Sequence, residues 1–226
     1  MALPTENTAL GDYFDDLLYT GAYLAGSKGH QGQGKKVLEA RKTLEQQVAA
    51  RNARHDERVL AAVAEAIAWD VLAEPLESFE RQVDAHFDRD RAGYGAVFPR
   101  TKAVMLATKG AALRAKVFEP VLAFARKANK DKLGAAGKEL WAAWGEYAQA
   151  AAASDKADQA LSRAIAEVGR TKRRGVVLMR ETEGALRAHY AATPKAWKKV
   201  FRKRAAAKAG GTDAPAPPPA STATGG

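Results

Sequence analysis

His86-Phe87-Asp88-Arg89-Asp90-Arg91-Ala92-Gly93-Tyr94-Gly95-Ala96-Val97-Phe98 closes the first half of this chain. His189-Tyr190-Ala191-Ala192-Thr193-Pro194-Lys195-Ala196-Trp197-Lys198-Lys199-Val200-Phe201 closes the second. Each stretch keeps a histidine–aromatic pair, a lone aromatic and a valine–phenylalanine pair, at a constant offset of 103 residues. Upstream, Gly34-Lys35 and Gly137-Lys138 hold the same offset, while Phe14 and Phe118 stand 104 apart. That slip of one residue falls in the loop before the glycine, where an insertion costs least. A repeat of this length predicts duplication of a helical unit.

The pattern between these landmarks is helical. Residues 8–26 read as a short helix with Leu10, Phe14, Leu17, Leu18 and Leu24 on its apolar face and Asp12, Asp15 and Asp16 opposite. Residues 26–34 contain four glycines and read as a turn. From Lys35 to Phe87, apolar residues recur in steps of three and four through Val37, Leu44, Val59, Val63, Ile67, Leu72, Leu76, Phe79 and Val83. Pro75 should kink or split that helix. The second half predicts an amphipathic stretch over Thr101–Lys116, a helix near Phe118–Phe124 and a glycine turn over residues 129–137. A long helix from Lys138 to Tyr190 and a last helix from Pro194 to Lys208 complete it. The polar midpoints at 51–58 and 154–159 leave open whether each long helix is continuous there.

The expected fold is therefore all-α: an elongated helical bundle of two tandem short-helix/long-helix hairpins. Residues 1–99 form the first repeat, 100–208 the second, and 209–226 a disordered Gly/Pro/Ala tail. Much of the 46% hydrophobic content is alanine, which suits closely packed helices rather than a thick sheet core.

Composition excludes several chemistries. Without cysteine there is no disulfide, thiolate catalysis or Cys-based zinc site. His86 and His189 each follow a glutamate, Glu80 and Glu183, by six residues, so the Glu-x-x-His spacing of a di-metal bundle fails. They read instead as residues that finish helices, where a partial positive charge is favoured. Gly32-Gln33-Gly34-Lys35 lacks the pattern of a phosphate-binding loop. No nucleophile elbow or dinucleotide fingerprint occurs, so no enzyme activity, cofactor, metal or small-molecule substrate is expected. Residues 1–11 carry Glu6 and no apolar run, so no secretory signal is expected, and the cytoplasm is the default location.

Charge supplies the remaining signal. Residues 1–99 hold 11 Lys/Arg against 16 Asp/Glu, a net −5; residues 100–226 hold 25 against 10, a net +15. Lys195, Lys198, Lys199, Arg202, Lys203 and Arg204 surround Trp197, Val200 and Phe201, and Arg170, Lys172, Arg173 and Arg174 lie upstream. These cations are the candidate polyanion-binding residues. The aromatics, by their repeat positions, belong to the core. The expected function is a non-catalytic helical scaffold that binds protein partners or itself through its acidic and basic halves. The alternative is a nucleic-acid-associated protein gripping phosphates without base specificity. A basic helix lying on an anionic membrane surface is a further possibility.

Overall fold

In the computed structural model, residues 3–88, 90–128, 131–193 and 196–202 are described. They are helical, with no strand among them: α1 (Leu10–Ala25), α2 (Gln31–Val71), α3 (Ala73–Phe87), α4 (Arg91–Val97), α5 (Lys102–Leu106), α6 (Ala111–Lys127) and α7 (Asp131–His189). A 3₁₀ turn follows at Trp197–Val200. The tail from 209 lies outside the described residues.

Pro75 acts at a distance of three residues. Without an N–H, and with its ring pressing on the carbonyl four positions earlier, it cannot extend α2. The helix ends at Val71, Leu72 forms a tight bond back to Trp69 O (3.3 Å), and α3 restarts with Pro75 in its first turn. Both long helices pass unbroken through their polar midpoints, α2 for 41 residues and α7 for 59. Several expectations change, among them the glycine turn over 129–137, of which residues 131–137 form the start of α7. Thr101–Lys116 is not one helix: Thr101 caps the short α5, and Gly110, at φ 85°, turns the chain into α6. Of the last expected helix, over residues 194–208, the described residues 196–202 hold one 3₁₀ turn, after which Phe201 is extended, and the others lie outside the described residues.

The chain packs as two compact units, residues 1–41 with 173–226, and residues 42–172. Each therefore contains sequence from both halves. This mixes the charges: the first unit's segments hold 15 Lys/Arg against 8 Asp/Glu and the second's 21 against 18, net +7 and +3.

In the first unit, α1, the start of α2, the end of α7 and the 3₁₀ turn enclose Tyr13, Leu17, Leu24, Val37, Val176, Met179, Leu186, Val200 and Phe201. The face of α1 is rotated from expectation: Tyr13 is buried and Leu18 points out. Burial, reinforced by nearby Asp16, pushes the Tyr13 phenol well above its ordinary range. Gly34 lies inside α2 rather than in a turn. A Cβ there would meet the backbone of Ala25 and stand 2.8 Å from Gly21 O, so only glycine lets the helices approach this closely.

In the second unit, α2 and α7 run side by side in opposite directions. Arg58 bonds Asp158 at 2.7 Å, and Trp69, eleven residues later, packs on Tyr147, eleven residues earlier. Leu72, Leu76, Phe79, Val83, Phe118, Val121 and Leu140 fill the core around them. Gly137 repeats the close approach, with a Cβ position 2.9 Å from Ala125 O. Tyr94 donates to Glu80 at 2.9 Å. Burial first, then that bond and its charge, push its phenol up to about 12.

Candidate interaction surfaces

The basic residues singled out by sequence do not form one free cluster. Val200 and Phe201 are buried as expected, and Trp197 is half-buried between the Phe201 ring (6.2 Å) and the Arg187 guanidinium (4.7 Å). That anchoring turns Lys198 and Lys199 outward. The Lys199 carbonyl accepts a bond from the Tyr19 hydroxyl at 3.2 Å, which ties the turn to α1. Arg202 is not free: it donates to Asp15 at 2.7 Å. Arg170 is held by Glu167 at 2.6 Å, and Lys172 is half-buried and already engaged. Arg173 and Arg174 are exposed on α7. Lys195, Lys203 and Arg204 lie outside the described residues. The exposed cations of the first unit among these that hold no ion pair with a described residue are thus Arg173, Arg174, Lys198 and Lys199, the Lys198 ammonium lying 5.9 Å from the Trp197 ring.

Beside the 3₁₀ turn, α1 offers a groove of about 440 Å³ lined by Asp15, Leu18, Tyr19, Ala22, Tyr23 and Arg202. The rings of Tyr19 and Tyr23 lie 6.5 Å apart and nearly parallel. Sequence reasoning passed over both tyrosines. Their spacing of four on the same face as Asp12 and Asp15 was the available signal.

The second unit carries a different surface. Val63, Ile67 and the neighbouring Val59, read from periodicity as core, are instead exposed. The outward face of α2 presents Leu60 (70% exposed), Val63 (51%), Ile67 (58%) and Val71 (53%) in succession. The opposite face of the helix is already occupied: Glu65 meets Arg114 at 3.5 Å, and Arg58 meets Asp158. A 3.6-residue period cannot distinguish a stripe covered by its own chain from one left open. Nearby, Arg51, Asn52, His55, Asp56, Leu161 and Ile165 line an open groove of about 660 Å³.

His86 and His189 stand in the last turns of α3 and α7. His189 meets the His30 ring edge-on at 4.7 Å, a partner that the glycine-rich setting of His30 gave no sign of. Among the described residues no group of three or more His, Asp or Glu is placed to hold a metal ion. No helix among them is long and apolar enough to cross a membrane. No known protein family, curated protein or solved structure matches the chain.

Proposed function

We propose that this protein is a non-catalytic helical scaffold that works by binding other proteins. The observation that carries the reading is the open apolar face of α2 from Leu60 to Val71. Exposed apolar residues scattered singly are ordinary, but a contiguous run along one helix face mostly marks an interaction site. Retention of proteins from a lysate of the source organism tests it, comparing the intact chain with a Leu60→Lys/Ile67→Lys variant. A discrete set of proteins retained by the intact chain and lost by the variant is expected. The same set on both chains sinks the reading.

A second reading rests on Arg173, Arg174, Lys198 and Lys199, which are exposed and hold no ion pair with a described residue. The first unit would then bind a nucleic-acid backbone without base specificity.

The two halves of the chain are proposed to descend from one duplicated hairpin. Supporting this, Val97 and Phe98 are buried as Val200 and Phe201 are, Tyr94 and Trp197 are both half-buried, and His86 and His189 are both exposed. Gly34 against Gly21 O and Gly137 against Ala125 O repeat one helix–helix contact at the offsets 103 and 104.

A further inference from the structure

The open face of α2 is apolar in its middle and is followed at its far end by carboxylates that no cation offsets. Leu60, Ala64, Ile67 and Val71 follow steps of four, three and four, the spacing of a seam that a second helix covers knob into hole. Asp56, with His55 at 3.9 Å, and Glu57 stand before it, Asp70 stands at its far end and Glu74 just beyond the break at Leu72, in the first turn of α3; all four are exposed. Glu57 already holds Arg54 at 2.6 Å, whereas among the described residues Asp70 and Glu74 have no ion pair. Arg58, the one cation within this span, lies on the other side of the helix against Asp158.

From this arrangement we infer that the α2 stripe docks an amphipathic helix of another protein, one carrying Lys or Arg at the end of its apolar stripe that lies over Asp70 and Glu74. The inference rests on the scaffold reading and names the partner's chemistry. Charge selects that occupant. A second copy of this chain laid parallel would set Asp70 against Asp70 and Glu74 against Glu74. Laid antiparallel, with Leu60 opposite Val71, it would set Asp70 opposite Ala61 and Glu74 opposite Glu57, whose Arg54 is already engaged, and so bring no free cation over them. An anionic membrane would meet the same carboxylates. A helix with a cationic end supplies the counter-charge that Asp70 and Glu74 lack, and complementary rim charge of this kind chooses the partner more than it sets the affinity. The seam spans roughly 17 Å at about 1.5 Å per residue, so a partner helix of about eighteen residues covers it with one end over Asp70 and Glu74.

The test titrates the full chain with an amidated synthetic peptide of that length. It has leucine at steps of four, three and four and lysine at both ends, so that either orientation sets a cation over Asp70 and Glu74. A counterpart with glutamate for every lysine and a scrambled lysine peptide are the controls. The lysine helix is expected to saturate one site, at least about tenfold more tightly than either control. Asp70→Lys/Glu74→Lys should weaken it about tenfold, and Ile67→Glu about a hundredfold. Because Ile67 is mostly exposed, Ile67→Glu should keep its helicity; if it does not, Leu60→Gln gives the same reading. Equal binding of the lysine and glutamate helices overturns the inference, as does binding that ignores these substitutions. So does a concentration-dependent dimer that Ile67→Glu makes monomeric, which would mean a second copy fills the stripe. Vesicles of anionic lipid that bind the intact chain and not the variant overturn it in favour of a membrane. If no lysine helix binds while lysate proteins are still retained through the stripe, the inference falls and the scaffold reading stands.

Discussion

The guanidinium of Arg114 lies flat over Trp69, its central carbon 3.8 Å from the ring centroid, although 45 residues separate the two in sequence. The same side chain donates to Thr108 O at 2.9 Å and to the Tyr147 hydroxyl at 3.3 Å, and meets Glu65 at 3.5 Å. Arg114 thus joins the α5–α6 turn to both long helices of its unit. Arg114→Ala removes the stack and leaves a partly buried Glu65 without its counter-charge, so a loss of about 2 kcal/mol is expected in urea unfolding. Arg114→Lys should recover only a minor part, since an ammonium cannot stack and fork its bonds together. A lysine variant as stable as the parent would show that charge alone matters at this position.

Gly34→Ala and Gly137→Ala test the two helix crossings. Alanine is the better helix former by about 1 kcal/mol, so propensity alone predicts stabilisation. Each new methyl would instead stand within 3 Å of backbone, and backbone cannot swing aside. Both substitutions should destabilise, by about 1–3 kcal/mol. Gly32→Ala, with nothing within 4 Å, should stabilise slightly. Thermal melts of the three variants separate packing from propensity by sign.

Phe201→Ala should cost about 3 kcal/mol, because the ring is buried in the first unit's core. Trp197→Ala should cost less, about 1–2 kcal/mol, since that ring is half-buried and lies partly against Arg187 rather than core carbon. The reverse order in chemical denaturation would place Trp197, not Phe201, at the centre of the packing.

Alkaline unfolding should be sensitive to Tyr94. Its phenol is raised to about 12 in the fold against about 10 in an unfolded chain. Between these values the folded state binds more protons, so stability falls as pH rises. The contribution is complete below pH 10 and gone above about 12. Tyr94→Phe should show a shallower loss of stability across that window, measured as urea midpoint against pH. An unchanged slope would mean that the Tyr94 phenol is neither buried nor bonded to Glu80 in solution.

Binding to duplex DNA or RNA, if the second functional reading holds, should fall steeply with salt. Four phosphate contacts give a slope of about −3.6 in log affinity against log salt on duplex DNA. Replacing Arg173, Arg174, Lys198 and Lys199 with glutamine should flatten it, whereas Arg170→Gln and Arg202→Gln, whose cations are already paired, should change it little. Absence of binding even at low salt leaves the scaffold reading by itself.

Local rules acted where the cause lies within a few residues. The period of three and four made α2 and α7 helical, Pro75 ended α2 through its missing donor and its ring, and Thr101 began α5 by capping it. The repeat positions of Val200 and Phe201 pointed to burial before any packing was known. Other properties depended on partners far away in the chain. Whether Leu18 or Tyr13 faces inward depends on what α1 packs against, and a stripe of valine and isoleucine on α2 looks the same in sequence whether covered or open. Arg202 reads as a free cation until the fold brings Asp15, 187 positions away, to its guanidinium. The charge contrast between the halves also disappears into units built from both. Helix formation is local because its hydrogen bonds span four residues, whereas burial and ion pairing are decided only when distant segments meet.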